Sequence, residues 1–416
     1  MNDIYIKRSC RLCNSQDLIS VFKLNDSPIC DQYLTTIQLQ KFYDLDLMYC
    51  KECGFTQINS VIVPSIIYNN YTYVSIESLG LVNHYKKYYN SLKKIKNLNE
   101  NSLIIDIGCN DATLLNFFQK DGSKVLGIEL PLKAFNGYIE NNYDIEVLNI
   151  SLNKNTVQEI VEKYGKANMI TINNLFSNID NLYDTTKNII SLLDDDGIFV
   201  IESSYLLDML ENKIFDFIYH EHLSYLSILP LSAFFEKFEM RLFSLKKTDI
   251  KGGSMRYHFC KINSQHKLDD CSLDLINKEK RFNIGLERFS IFKDYIDNVK
   301  KRLLDYLNKN LDNEIVGFGA SATTTTFISY FSLEKYIDYL VDNNEDKTEK
   351  YSPGYHIPVY NTTVLQKKKR RVIIIFAWRF SMKIVPQLQN SYNTIIMPFP
   401  EFKIISPLFK EIKNGS

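Results

Sequence analysis

Two cysteine pairs, Cys10-Arg11-Leu12-Cys13 and Cys50-Lys51-Glu52-Cys53, have the C-x-x-C spacing that lets neighbouring thiolates chelate one tetrahedral ion. A closed shell of four thiolates leaves no open position for water or substrate. The expected metal is therefore a structural Zn2+, stapling a segment too small to bury its own core. Cys30, Cys109, Cys260 and Cys271 lack paired spacing and read as small buried residues. A second concentration of chemistry is Tyr219-His220-Glu221-His222-Leu223-Ser224-Tyr225, where two of the six histidines flank a glutamate between tyrosines. Those side chains suit proton transfer near neutral pH. The segment lacks the H-E-x-x-H helical pair of a zincin, and the residue types alone leave His222, His220 or a tyrosine as the base.

A third element is Leu103-Ile104-Ile105-Asp106-Ile107-Gly108-Cys109-Asn110-Asp111, an apolar strand running into a glycine turn, with Thr113 opening a helix. Gly108 permits a close backbone approach to a ligand. Asp106 sets a carboxylate at the strand's carboxyl end, where open α/β sheets bind ligands. Glu129 ends the next strand, where an acid can accept both ribose hydroxyls. A dinucleotide site would want G-x-G-x-x-G, and the turn has only Gly108, which favours S-adenosylmethionine over NAD. The cofactor set is Asp106, Gly108, Asn110, Asp111, Glu129 and Asn174.

These residues need a frame, and the pattern supplies one. Short strand-like and turn-like pieces surround the cysteine pairs. From Asn101 onward, apolar strands alternate with helical stretches: strands near 103–107, 124–128, 145–147, 169–172 and 197–201, with helices such as 113–120 and 181–193. This is a doubly wound parallel α/β sheet. After a charged helical stretch over 268–309, strands near 314–317, 339–341, 372–376 and 394–397 indicate a second nucleotide-fold-like domain. The expected domains are residues 1–65, 66–245 and 246–416.

Composition excludes several classes. The 49 Lys and Arg balance 49 Asp and Glu, so no global field exists to hold a nucleic acid, and the basic run 367–371 reads as a solvated helix end. No apolar stretch reaches the ~18 residues of a membrane span, and no basic segment followed by an apolar one opens the chain. A cytoplasmic, monomeric protein is expected, without nucleic-acid or membrane partners.

The paired cysteines, Tyr71-Thr72-Tyr73-Val74-Ser75, Ile107-Gly108-Cys109-Asn110-Asp111, the Tyr219-His220-Glu221-His222 segment, Gly252-Gly253-Ser254-Met255-Arg256 and Gly317-Phe318-Gly319-Ala320 together resemble the C-methyltransferases of nucleotide-linked keto-deoxysugars. The resemblance covers nearly the whole chain. It implies a zinc-binding module, a Rossmann-like class I methyltransferase domain and a second Rossmann-like α/β domain that helps hold the nucleotide-sugar. It implies His222 as the base that removes a proton alpha to the ketone, with Glu221, Tyr219 and Tyr73 beside it. Tyr71, Asn178, Tyr225, Arg256, Gly317 and Gly319 are the substrate-binding candidates. Three positions depart from the family pattern: Asn178 and Lys251 replace histidines, and Thr323 replaces a lysine that could face phosphate. Asn178 can donate a hydrogen bond but not a proton. O-methylation of a sugar or small metabolite, and a zinc-scaffolded binding protein without turnover, are the competing readings.

Overall fold

The computed structural model describes residues 3–68, 80–129 and 143–407. Its N-terminal module carries a four-stranded antiparallel sheet in the order Ser224–Tyr225, Thr56–Ile58, Asp46–Cys50, Leu18–Lys23. The first of these strands comes from far along the chain. It belongs to the histidine segment, so that segment is docked on the module by backbone pairing, Ser224 opposite Gln57 and Tyr225 opposite Thr56.

The central sheet has seven strands, ordered Val147–Asn149, Lys124–Glu129, Leu103–Ile107, Ala167–Asn173, Leu193–Ser204, Ser254–Lys261, Met240–Thr248. The first five are mutually parallel, so the parallel part matches the expectation, while Ser254–Lys261 runs antiparallel to both its neighbours, Leu193–Ser204 and Met240–Thr248. Leu103–Ile107 is buried on both faces, as an apolar run in a covered parallel sheet should be. The expected strand at 145–147 lies slightly later, at Val147–Asn149. The boundary expected after residue 245 falls inside Met240–Thr248, and its partner Ser254–Lys261 pairs with Leu193–Ser204. The sheet therefore continues to Lys261. The cause is the reversal at Gly252 and Gly253, φ +84° and +130°, which turns the chain back into the same sheet.

The helical stretch is two helices, Asp270–Phe282 and Leu286–Asn308, broken where Asn283 takes φ +53°. Asp269 caps the first through Ser272. The second buries Phe289, Phe292, Ile296, Val299, Leu303 and Leu307, a stripe at helical spacing. The C-terminal sheet has six strands, ordered Val359–Asn361, Tyr339–Asp342, Glu314–Phe318, Arg371–Ile375, Asn393–Met397, Lys403–Ile405, parallel except for the last. One apolar core joins this sheet to the module and the histidine segment, with Phe22, Leu47, Phe215, Phe217, Tyr219, Phe327 and Phe376 among its members. No helix of the described residues is long and apolar enough to cross a membrane.

Candidate active site

The turn after Leu103–Ile107 is built as the sequence suggests. Gly108 has φ +72°, and a Cβ there would lie 2.5 Å from Leu175 Cδ2, so only glycine fits. Its amide donates to the Ile128 carbonyl at 2.7 Å. Asn110 and Ala112 are also left-handed. The Asn110 amide donates to Glu129 Oε2 at 2.9 Å, and Asp111 Oδ1 accepts the Thr113 amide at 3.0 Å, satisfying the start of helix Thr113–Lys120. Asp106 accepts from Thr171 Oγ1 at 2.6 Å and Asn173 Nδ2 at 3.1 Å. Asn174, with φ +54°, donates its amide to the Glu202 carbonyl at the same sheet edge. Three carboxyls thus surround one turn.

Burial pushes the Asp106 carboxyl up to about 7, and the neighbouring charges of Glu129 and Asp111 act in the same direction against the Thr171 and Asn173 hydrogen bonds. Such a cluster repels a pyrophosphate and favours a cation.

The histidine segment separates its two histidines. His220 is buried, and its Nε2 donates to the Asp44 carbonyl of the module at 3.1 Å; burial pushes its pKa down to about 4, so it stays neutral. His222 points elsewhere. Its Nδ1 lies 3.0 Å from the Phe217 carbonyl, which can only accept, so Nδ1 carries the proton and Nε2 keeps its lone pair. Tyr219 Oη donates to that Nε2 at 3.1 Å, with the two rings 4.2 Å apart. Burial, then the nearby Glu221, holds the Tyr219 phenol well above its ordinary range, so it remains a donor. Asn178 Nδ2 donates to Glu221 Oε1 at 3.1 Å. Asn178 therefore stands beside the histidine segment.

Other candidates are placed differently. Tyr225 is buried, its hydroxyl 3.4 Å from the Phe217 carbonyl. Arg256 is buried against Glu202, with Nε 2.9 Å and Nη2 2.7 Å from Oε2; it also reaches Ser91 Oγ and lies 3.4 Å above the Tyr88 ring. Gly317 sits within its strand, where a Cβ would be 2.4 Å from Phe376 Cε2, which gives it a packing reason. Gly319, at φ +111°, makes the following turn. Tyr71 and Tyr73 lie outside the described residues. Cys109 and Cys260 are buried and Cys30 partly so, but Cys271 is exposed on the first turn of its helix, which corrects its reading as a core residue.

One residue escaped the sequence reading. His84, on helix Leu81–Ile95, has Nε2 2.5 Å from Glu202 Oε1, so Glu202 bridges it to Arg256. Burial raises the Glu202 carboxyl, but the His84 hydrogen bond and the Arg256 charge outweigh it and leave it below its usual range. An isolated histidine on an amphipathic helix carries no local signal for this.

The four thiols of Cys10, Cys13, Cys50 and Cys53 lie within 4.8 Å of one another, with Cys10 to Cys53 at 3.6 Å and Cys13 to Cys50 at 3.5 Å. Tetrahedral zinc with bonds of about 2.3 Å needs edges of about 3.8 Å, so the set fits the ion. The knuckles are local: the Gly54 amide returns to the Cys50 carbonyl and the Asn14 amide to that of Cys10.

Three family models match the chain in succession. They are described as "Putative zinc binding domain" over residues 10–68, "Methyltransferase domain" over 83–245 and "C-methyltransferase C-terminal domain" over 249–400. The chain is 24% identical over 408 residues to the C-methyltransferase NovU of Streptomyces niveus, covering 95% of this chain and 96% of that one. Among solved structures, the magnesium protoporphyrin IX methyltransferase of Synechocystis with bound SAM matches at 11% identity and TM-score 0.33, over 44% of this chain and 80% of that one. A SAM-dependent methyltransferase from Anabaena variabilis matches at 12% identity and TM-score 0.32, over 44% and 96%.

Proposed function

We propose that this chain, a C-methyltransferase by the three domains it carries in order, methylates the carbon alpha to the ketone of a nucleotide-linked deoxysugar, with His222 as the base. The observation that carries the mechanism is the 3.0 Å contact of His222 Nδ1 with the Phe217 carbonyl: an acceptor there favours the tautomer protonated on Nδ1, which leaves Nε2 basic. Asp106, Gly108, Asn110, Asp111, Glu129 and Asn174 would hold the cofactor. When bound there, S-adenosylmethionine supplies the electrophilic methyl that an enolate carbon takes.

The chain's own residues make that carbon nucleophilic. His222 Nε2 takes the alpha proton, and the C–H electron pair moves toward the carbonyl oxygen, which gains negative charge. Tyr219 Oη, turned from Nε2 to that oxygen, frees the lone pair and supplies a donor to the growing oxyanion. Asn178 and Glu221, already paired, are set to orient the sugar. Proximity then supplies much of the acceleration. The N-terminal zinc is structural, and none of the eight cysteines is in a disulfide, which supports a reducing, cytoplasmic setting. The domain limits we adopt keep the first unit at 1–65 and extend the central one through Lys261 to complete its sheet.

The test is mass spectrometry of products from a panel of nucleotide-sugars incubated with a labelled methyl donor. Label on a ring carbon of a keto-sugar, and none with the matching alcohol, is expected. Label on oxygen would replace this reading with O-methylation, and cofactor binding without transfer to any keto-sugar would favour a non-catalytic role.

A further inference from the structure

Arg11 stands between the two cysteines of the first knuckle, yet its side chain reaches away from the metal set. The residue is 6% exposed. Nη1 donates to the Ile58 carbonyl at 2.7 Å and the Leu223 carbonyl at 3.2 Å, and Nε to Asp180 Oδ1 at 3.0 Å. Leu223 directly follows His222, and Asp180 lies two residues beyond Asn178, the partner of Glu221. The Arg11 amide is itself held by Gln57 Oε1 at 2.9 Å, and Gln57 pairs with Ser224. One planar fork thus joins the metal knuckle, the strand Thr56–Ile58 and both segments of the base site.

We propose that Arg11 is a positioning residue that carries the order of the zinc knuckle into the His222 and Asn178 segments. A guanidinium presents several donors in a fixed plane, so it can fix two segments at a set angle; an ammonium cannot hold the same directions. Stability alone is a poor reason for the arrangement, because a buried ion pair can often be replaced by apolar groups without loss. Geometry is the better one: a misplacement of about 1 Å in a catalytic group can cost about 100-fold in rate. This inference rests on the reading of His222 as the base.

The experiment compares full-length wild type with Arg11→Met and Arg11→Lys, measuring zinc content, adenosylmethionine affinity, kcat and KM separately, and amide hydrogen exchange over residues 219–225. Expected in Arg11→Met are retained zinc, cofactor affinity within about threefold, a kcat lower by about 10-fold to 100-fold with KM changed less, and faster exchange at 223–225. Arg11→Lys should recover only part of kcat. Asp180→Ala, which removes the acceptor of Arg11 Nε while keeping both carbonyl contacts, should give a smaller loss of the same kind and serves if Arg11→Met does not fold. Unchanged exchange, or a kcat loss seen only where zinc is lost, would overturn the inference. Faster exchange with wild-type kcat would also overturn it, whereas unchanged activity in His222→Asn would overturn the reading of His222 on which it rests.

Discussion

The molecule contains the same turn twice, with different chemistry in each. In the central domain the strand Leu103–Ile107 runs into Gly108, and the acid ending the next strand, Glu129, accepts the Asn110 amide. In the C-terminal domain Glu314–Phe318 runs into Gly319, and Asp342, again at the end of the next strand, accepts the Ala320 amide at 2.7 Å. The difference lies two residues before the glycine. Asp106 stands there in the first turn and Gly317 in the second, and the second turn lacks a counterpart of Asp111 at its helix start, where Ser321 caps instead. Three carboxyls stand at the first turn and one at the second.

The helices after the two turns also differ. Eight residues of Ala322–Phe331 are buried, because this helix packs against the base segment as well as its own sheet. Thr326 Oγ1 donates to the Ile218 carbonyl at 3.1 Å, and Trp378 Nε1 and Arg379 Nη1 hold the Asp216 carboxylate. The C-terminal domain therefore supports the segment before Tyr219, while the zinc module supports it after His222. The two turns share a backbone geometry, and the C-terminal one carries in addition a helix that braces the histidine segment.

Metal removal should break this division most severely. Chelation, or Cys50→Ser, should lower unfolding stability by about 4 kcal/mol or more, the scale of losing a structural metal, with adenosylmethionine affinity in the surviving folded fraction little changed. Unaltered melting after verified zinc loss would contradict the structural role.

A paired substitution sharpens the contrast between the two acids. Glu129→Ala should weaken adenosylmethionine binding by about 1–3 kcal/mol, since a charged acceptor is lost, whereas Asp342→Ala should leave that affinity unaltered. Equal losses in calorimetry would erase the distinction drawn here.

The smallest expected effect is protonic. With its carboxyl raised to about 7, Asp106 is partly protonated near neutral pH in the unliganded protein, and a bound cation favours the carboxylate. Binding should therefore release protons, and affinity should climb as pH rises toward and through about 7, then level off. Calorimetry in two buffers of different ionisation enthalpy reads this directly; proton uptake, or affinity falling over that range, would count against the cation site.

What was legible in the sequence is what local pattern dictates. The cysteine spacing, the Gly108 turn and the alternation of strands and helices all follow from short-range rules, and the structure places Asp106, Glu129 and the four thiols accordingly. What was not legible depends on returns of the chain. The hairpin at Gly252 carried Ser254–Lys261 back into the central sheet, which composition could not signal. The His84–Glu202–Arg256 chain and the reach of Arg11 to Leu223 join residues far apart in sequence, each bland in its own neighbourhood. Glu221 and Asn178 were singled out by resemblance, and their contact became visible only once both segments met at the sheet edge.

In the proposed mechanism His222, with Nδ1 on the Phe217 carbonyl and its segment braced from both sides, forms the enolate. Its most direct test follows exchange of the alpha proton of a keto-sugar nucleotide with deuterated solvent by NMR, in wild type, His222→Asn and His220→Asn, all shown to be folded and to bind both ligands. Exchange is expected in wild type and His220→Asn, with a loss of about 100-fold to 10,000-fold in His222→Asn, the range for removing a general base. Near-normal exchange in His222→Asn together with its loss in His220→Asn would contradict it and move the base two residues upstream.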